Sequence, residues 1–138
     1  MIYENVLFTD DHIILTATYP TPQEHKHFAK HLLFGIHGEL ICSIGGQMIT
    51  GKGLYIASNV PHTARVTRGY MLVLLVEHTS EFSTRLDAVL QSESFCLLQD
   101  DLVKDTHASY RTNDLEGVQE TIFQAFEVTH RDSGRYDR

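Results

Sequence analysis

The sequence predicts a mainly β domain followed by helices, and three observations point there. Short apolar stretches separated by turn signals fill the first two thirds of the chain. Beyond Ser80 the apolar spacing changes to a helical one. The chain is 138 residues long with 42% hydrophobic and 21% charged residues, which suits one folded domain with a sizeable core.

The elements follow in order. The segment from His12 to Tyr19 is rich in β-formers and stops at Pro20-Thr-Pro22, where prolines fit a strand boundary. His31 to Ile36 and Glu39 to Ile44 flank a short turn at His37-Gly38. Gly45-Gly46 is a two-residue hairpin signal leading into Gln47 to Thr50. Leu54 to Ala57, Thr63 to Thr67 and Tyr70 to Glu77 continue the series, and Phe95 to Leu98 reads as one more strand. Ser80 is a candidate N-cap for a helix carrying Phe82, Leu86, Val89 and Leu90 on one face. Asn113 and Glu116 resemble a capping box that opens a second helix with Leu115, Val118, Ile122, Ala125, Phe126 and Thr129. This divides the chain into a barrel over 1–110, an amphipathic helix over 111–130 and a flexible polar tail over 131–138. The helix either packs on its own barrel or makes a twofold dimer contact.

Charge and composition exclude several classes. Eighteen acids against 11 lysines and arginines give a net charge of -7, which disfavours direct nucleic-acid binding. The longest apolar run, Met71 to Val76, is far short of a membrane span, and the N-terminus shows no secretory signal. Cys42 and Cys96 are too few for a disulfide framework and fit reduced thiols of a cytoplasmic protein. No phosphate loop or nucleophile elbow is present.

Histidine is the unusual residue, with nine copies. Imidazole is the commonest metal ligand. His25 and His27 are two apart, so on a strand both point to one face. His31 follows closely, and His62 ends a later Gly-spaced hairpin. Neighbouring strands of a barrel can bring such a set together around an ion, and the ligand type alone does not choose the metal. Without a metal, the same side chains would be satisfied core or solvent-facing histidines. His37 adjoins a turn, and His12, His78, His107 and His130 have no ligand-spaced partner, so they read as surface or capping residues.

The stretch from His25 to His62 resembles a small cupin. His25-Lys-His27, then His31, then Gly38 follow the first cupin motif, and Gly51 to His62 matches the second in length. The resemblance implies a cupin-type double-stranded β-helix, a jelly-roll barrel with C-terminal helices. It puts His25, His27, His31 and His62 on the four metal-ligand positions, with one divalent transition metal such as Zn, Fe, Ni or Mn. The chain departs from the pattern in three places. His31 stands where the family has glutamate, Ala57 and Asn59 replace the usual Pro and Gly of the turn, and Val66 replaces an asparagine. Asn59 tolerates the left-handed conformation, so the turn can survive.

A barrel of this size can enclose one small ligand, with an interior drawn from Leu33, Leu40, Cys42, Ile56, Val73 and Leu75. Tyr55 and Glu77 are the candidate ligand-pocket residues. The order of parts resembles the ligand-binding and dimerisation half of AraC-type transcription regulators, in His27 to Gly38, Val76 to Phe82 and the terminal Arg135 to Arg138. That resemblance implies a small-molecule sensor that forms a homodimer, without the DNA-binding domain and without a membrane partner. The alternative is a stand-alone metal-dependent cupin enzyme, such as a dioxygenase or a sugar isomerase. The four histidines favour it, and the lack of a clear acid or base residue weighs against it.

Overall fold

The computed structural model describes residues 2–18, 29–91, 94–111 and 114–128. The strands are β1 (Ile2–Phe8), β2 (His12–Thr18), β3 (Lys30–Ile36), β4 (Leu40–Ile44), β5 (Gln47–Gly51), β6 (Gly53–Ile56), β7 (His62–Val66) and β8 (Tyr70–Val76). Helix α1 (Glu81–Leu90) follows, then β9 (Phe95–Leu97), α2 (Asp100–Tyr110) and α3 (Leu115–Phe126). Six strands form one sheet in the order β1-β2-β8-β3-β6-β9, and β5-β4-β7 form a second. Every pairing is antiparallel.

The two sheets explain why the strand sequences differ in character. The large sheet is covered on both faces, so β3 is buried at every position and β8 at nearly every one. Strand alternation sends Leu33, Ile56, Val73 and Met71 to the barrel interior, where they meet Leu40, Cys42 and Ile44 of the small sheet. The alternate residues Leu32, Phe34, Leu72 and Leu74 face outward and form a second core with the helices. The small sheet is covered on one face only. There β4 alternates buried with half-buried positions, and β5 is largely exposed.

The turns follow their residues. Gly45 and Gly46 both take positive φ, +55° and +85°, as a tight hairpin requires. Asn59 sits at φ +61°, so it supplies the left-handed turn geometry that the sequence expects of it. Ser80 caps α1 by accepting from the Ser83 N–H at 3.0 Å. The second cap lies one residue beyond the expected place. Asp114 accepts from the Gly117 N–H at 3.0 Å, while Asn113 lies outside the described residues. Val89, expected on the apolar face of α1, is exposed.

Two elements go beyond the sequence expectation. Strand β1 adds an edge to the large sheet, and α2 occupies a stretch that the sequence assigns to the barrel. Helix α3 packs on its own chain. Val118, Ile122, Phe123 and Phe126 are all buried, so its apolar stripe is already covered. The expected tail over 131–138 lies outside the described residues.

His12 joins the barrel to α3. Its ring nitrogens meet the Asp11 carboxylate at 2.7 Å and the Gln119 side-chain amide oxygen at 2.7 Å. Phe82 and Phe123 stand edge-on to the ring at 5.4 and 5.3 Å. His12 is therefore a buried fastener and not a surface residue, and His107 is half-buried on α2. On the same outer face, Lys30 is buried and its ammonium donates to Asp87 at 2.6 Å and to the Ser83 carbonyl at 3.2 Å, which ties β3 to α1.

The two thiols differ in environment. Cys42 is fully buried in the barrel interior, and burial pushes its pKa up to about 12. Cys96 is half-buried on the edge strand β9. Iodoacetamide at mildly alkaline pH should therefore modify Cys96 and spare Cys42 in the folded protein, as read by peptide mass spectrometry. Equal labelling of the two would contradict this placement.

Candidate metal centre and barrel interior

Two of the four expected ligands meet inside the barrel. His31 begins β3, and the parity of that strand turns it to the same face as Leu33. His62 begins β7 opposite Ile44, on the face of Ala64. The rings lie 4.8 Å apart between centroids at an interplanar angle of 75°. Both residues are almost fully buried, at 3% and 1% exposure, so this imidazole pair is shielded from bulk water.

The His62 ring is oriented by its own turn. Its Nδ1 donates to the Val60 carbonyl at 2.8 Å, which leaves the lone pair on Nε2. A backbone carbonyl that fixes the tautomer and orientation in this way is the support metal-ligating histidines commonly have. The donor chemistry of the pair therefore fits a divalent transition ion. His25 and His27 lie outside the described residues. Among the described residues, no group of three or more His, Cys, Asp or Glu side chains gathers closely enough to hold a metal.

The expected apolar wall is present. Leu33, Leu40, Cys42, Ile56 and Val73 belong to the interior core, and Leu75 packs against it. The candidate pocket residues sit elsewhere. Leu54 and Ile56 face the barrel interior, so Tyr55 between them turns to the helix-covered face and packs in the outer core. Burial pushes its pKa up to about 12, with smaller contributions from Asp87 and Cys96. Glu77 lies just past β8, exposed to solvent. It accepts hydrogen bonds from the Thr79 hydroxyl and N–H, which hold its carboxyl below the ordinary range, and it pairs with His78 at 3.1 Å. It thus shapes the connection into α1. Neither Tyr55 nor Glu77 stands beside the histidine pair.

An opening lies outside the barrel. A cavity of about 1010 Å³ runs between α2 and the strands β5 and β6, with His107, Tyr70, Tyr110 and Lys52 among its walls. The sequence reading passes over it because α2 is not recognised there. The signal for that helix was present: two acids, Asp100 and Asp101, open it, and Val103, Thr106 and Tyr110 recur at helical spacing.

No protein-family model and no curated protein matches the chain. Solved structures do. The AraC-like transcriptional activator CuxR superposes on 88% of this chain with a TM-score of 0.61 and 10% sequence identity, and the match spans 51% of that chain. An RmlC-like cupin from Shewanella frigidimarina matches 56% of this chain and 77% of its own, with 14% identity and a TM-score of 0.46. The FeII form of HppE in complex with substrate matches 54% of this chain and 52% of its own, with 17% identity and a TM-score of 0.44. No described helix is long and apolar enough to cross a membrane. With its two antiparallel sheets and trailing helices, the chain has the cupin-type jelly-roll fold, and it is similar in fold to an AraC-like activator over most of its length.

Proposed function

We propose that the chain is a small-molecule-sensing, metal-binding cupin domain of an AraC-like transcription regulator. The observation that supports this most is the extent of the likeness to CuxR, which takes in 88% of this chain but 51% of that one. In this reading one divalent ion is held by His25, His27, His31 and His62. When bound, the ion supplies a Lewis acid that can orient an oxygen or nitrogen of the sensed molecule. The chain's own residues do the rest. The Val60 carbonyl holds His62 in the ligating tautomer, and Leu33, Ile56 and Val73 keep water from the interior. The regulator reading carries a cytoplasmic homodimer with it. Because α3 covers its apolar stripe against its own barrel, that dimer contact uses another surface.

The facing pair of His31 and His62 also suits a second reading, a metal-dependent cupin enzyme. One experiment separates the two. The metal-loaded protein is incubated with a library of small metabolites, and melting temperature is read alongside the mass of each compound. The sensor reading expects a compound that raises the melting temperature and is recovered unchanged. Conversion of a stabilising compound into a product would replace it with the enzyme reading.

A further inference from the structure

The geometry points to a second ligand site, outside the barrel: the cavity between α2 and the large sheet takes a small hydroxylated anion, of the sugar-acid or sugar-phosphate class. Its floor is apolar, with Ile36, Leu98 and Val103, and carries a few converging polar tips. That is the usual anatomy of a small-molecule pocket, and the volume of about 1010 Å³ leaves ample room.

The polar tips say what the ligand must present. His107 stands close to the Gly35 backbone, and its Nε2 is buried with no hydrogen-bond partner among the described residues. Buried polar atoms are ordinarily satisfied, so this nitrogen calls for a partner that enters the cavity. Burial lowers the His107 pKa, and Lys52 and His37 lower it further against the Gly35 backbone, which favours the neutral ring. A hydroxyl both donates and accepts, so it can satisfy Nε2 in either tautomer of the neutral ring. Beside it the Tyr110 hydroxyl donates to the Tyr70 hydroxyl at 3.2 Å, which leaves the Tyr70 hydrogen available to an acceptor on the ligand.

The rim sets the charge. Lys52, Lys104 and Arg111 line the cavity against the carboxylates Glu39 and Asp100. This local excess of positive charge stands out on a chain whose net charge is -7. Lys52 and His37 are close enough to act electrostatically on His107, so an anionic group at the mouth and a hydroxyl at the floor lie within the span of one small molecule.

The site is distinct from the metal reading. Ile36, Leu98, Val103 and Tyr110 belong to the outer core, and His31 and His62 lie on the other face of the sheet. Occupation would clamp α2 to the sheet. Helix α2 in turn packs on α3, where the Ser109 and Thr121 hydroxyls meet at 2.5 Å, so the ligand state would reach the C-terminal helix.

Calorimetric titration of the full chain tests this with gluconate, glucose 6-phosphate, glucose and inorganic phosphate. Saturable one-site binding of gluconate or glucose 6-phosphate is expected, with glucose and inorganic phosphate each weaker by about tenfold or more. Preference between the two sugars tells a carboxylate from a phosphate ligand. Lys52 is exposed, so Lys52→Gln should fold normally and weaken the anion by about tenfold. His107→Phe should remove binding, and His62→Ala should leave it unchanged. The proposal is overturned if neither sugar anion saturates the protein. It is equally overturned if inorganic phosphate binds as well as they do, or if binding survives both cavity variants.

Discussion

Replacing Phe123 with alanine should destabilise the protein by about 3–5 kcal/mol, the cost of emptying a buried aromatic site. The site is filled by aromatic contacts. Phe123 meets Phe82 edge-on at 5.2 Å and His12 at 5.3 Å, joining α3, α1 and β2 at one point. His12 is held there by Asp11 and by Gln119, one helical turn before Phe123, so the cavity would also loosen a buried polar contact. Small domains have about 5–15 kcal/mol of stability in all, so this one change should remove much of it. The urea midpoint should fall sharply with little change in slope. A loss below about 1 kcal/mol would mean that α3 is not a structural part of the domain.

Alanine at Gly69 should be the next most damaging change. Gly69 has φ +76°, and an added Cβ would lie 2.1 Å from the Ile36 carbonyl oxygen. The strain of the left-handed backbone costs about 1–3 kcal/mol, and relieving the collision requires the β3 backbone to move as well. Gly38 and Gly35 belong to the same knot. A Cβ on Gly38 would lie 2.5 Å from the Arg68 carbonyl, and one on Gly35 would lie 2.4 Å from the Gly38 carbonyl. The turn after β3 thus crosses the turn before β8 at a distance that only glycine permits. Gly45 is the control. It also has positive φ, +55°, but no atom lies within 4 Å of its Cβ position. Gly45→Ala should cost only about 1–2 kcal/mol, the left-handed penalty alone. Equal losses at the two positions in urea unfolding would show that the close crossing contributes nothing.

These residues also show what was legible in the sequence. The apolar runs of β3, β4 and β8 and the glycine hairpin at 45–46 are local signals, so those strands fall within a residue or two of their expected bounds. Ser80 and Asn59 carry their conformations in their own chemistry, and both take the expected geometry. The faces of the large sheet were less legible. Both faces of β3, β6 and β8 are apolar because helices cover one and the small sheet the other. The pattern cannot say which side is the barrel interior, and a one-residue shift exchanges them. Tyr55 illustrates this, being well buried but on the helix side. His12 and His107 escaped notice for a related reason. The groups they approach, Gln119 on α3 and Gly35 on β3, are far away in sequence, and no spacing rule connects them. His31 and His62 are also distant, yet the resemblance to a known motif pairs them, and the structure brings their rings face to edge.

The central claim is that this buried pair, with His25 and His27, holds one divalent metal. The most direct measurement is elemental analysis of untagged protein, wild type beside His62→Ala. The account predicts about one equivalent of a single transition metal in the wild type and near loss of it in His62→Ala, with circular dichroism showing that the barrel still folds. Less than about a tenth of an equivalent in the wild type, after incubation with Zn, Fe, Ni and Mn in turn, would contradict it, as would metal content unchanged by the substitution.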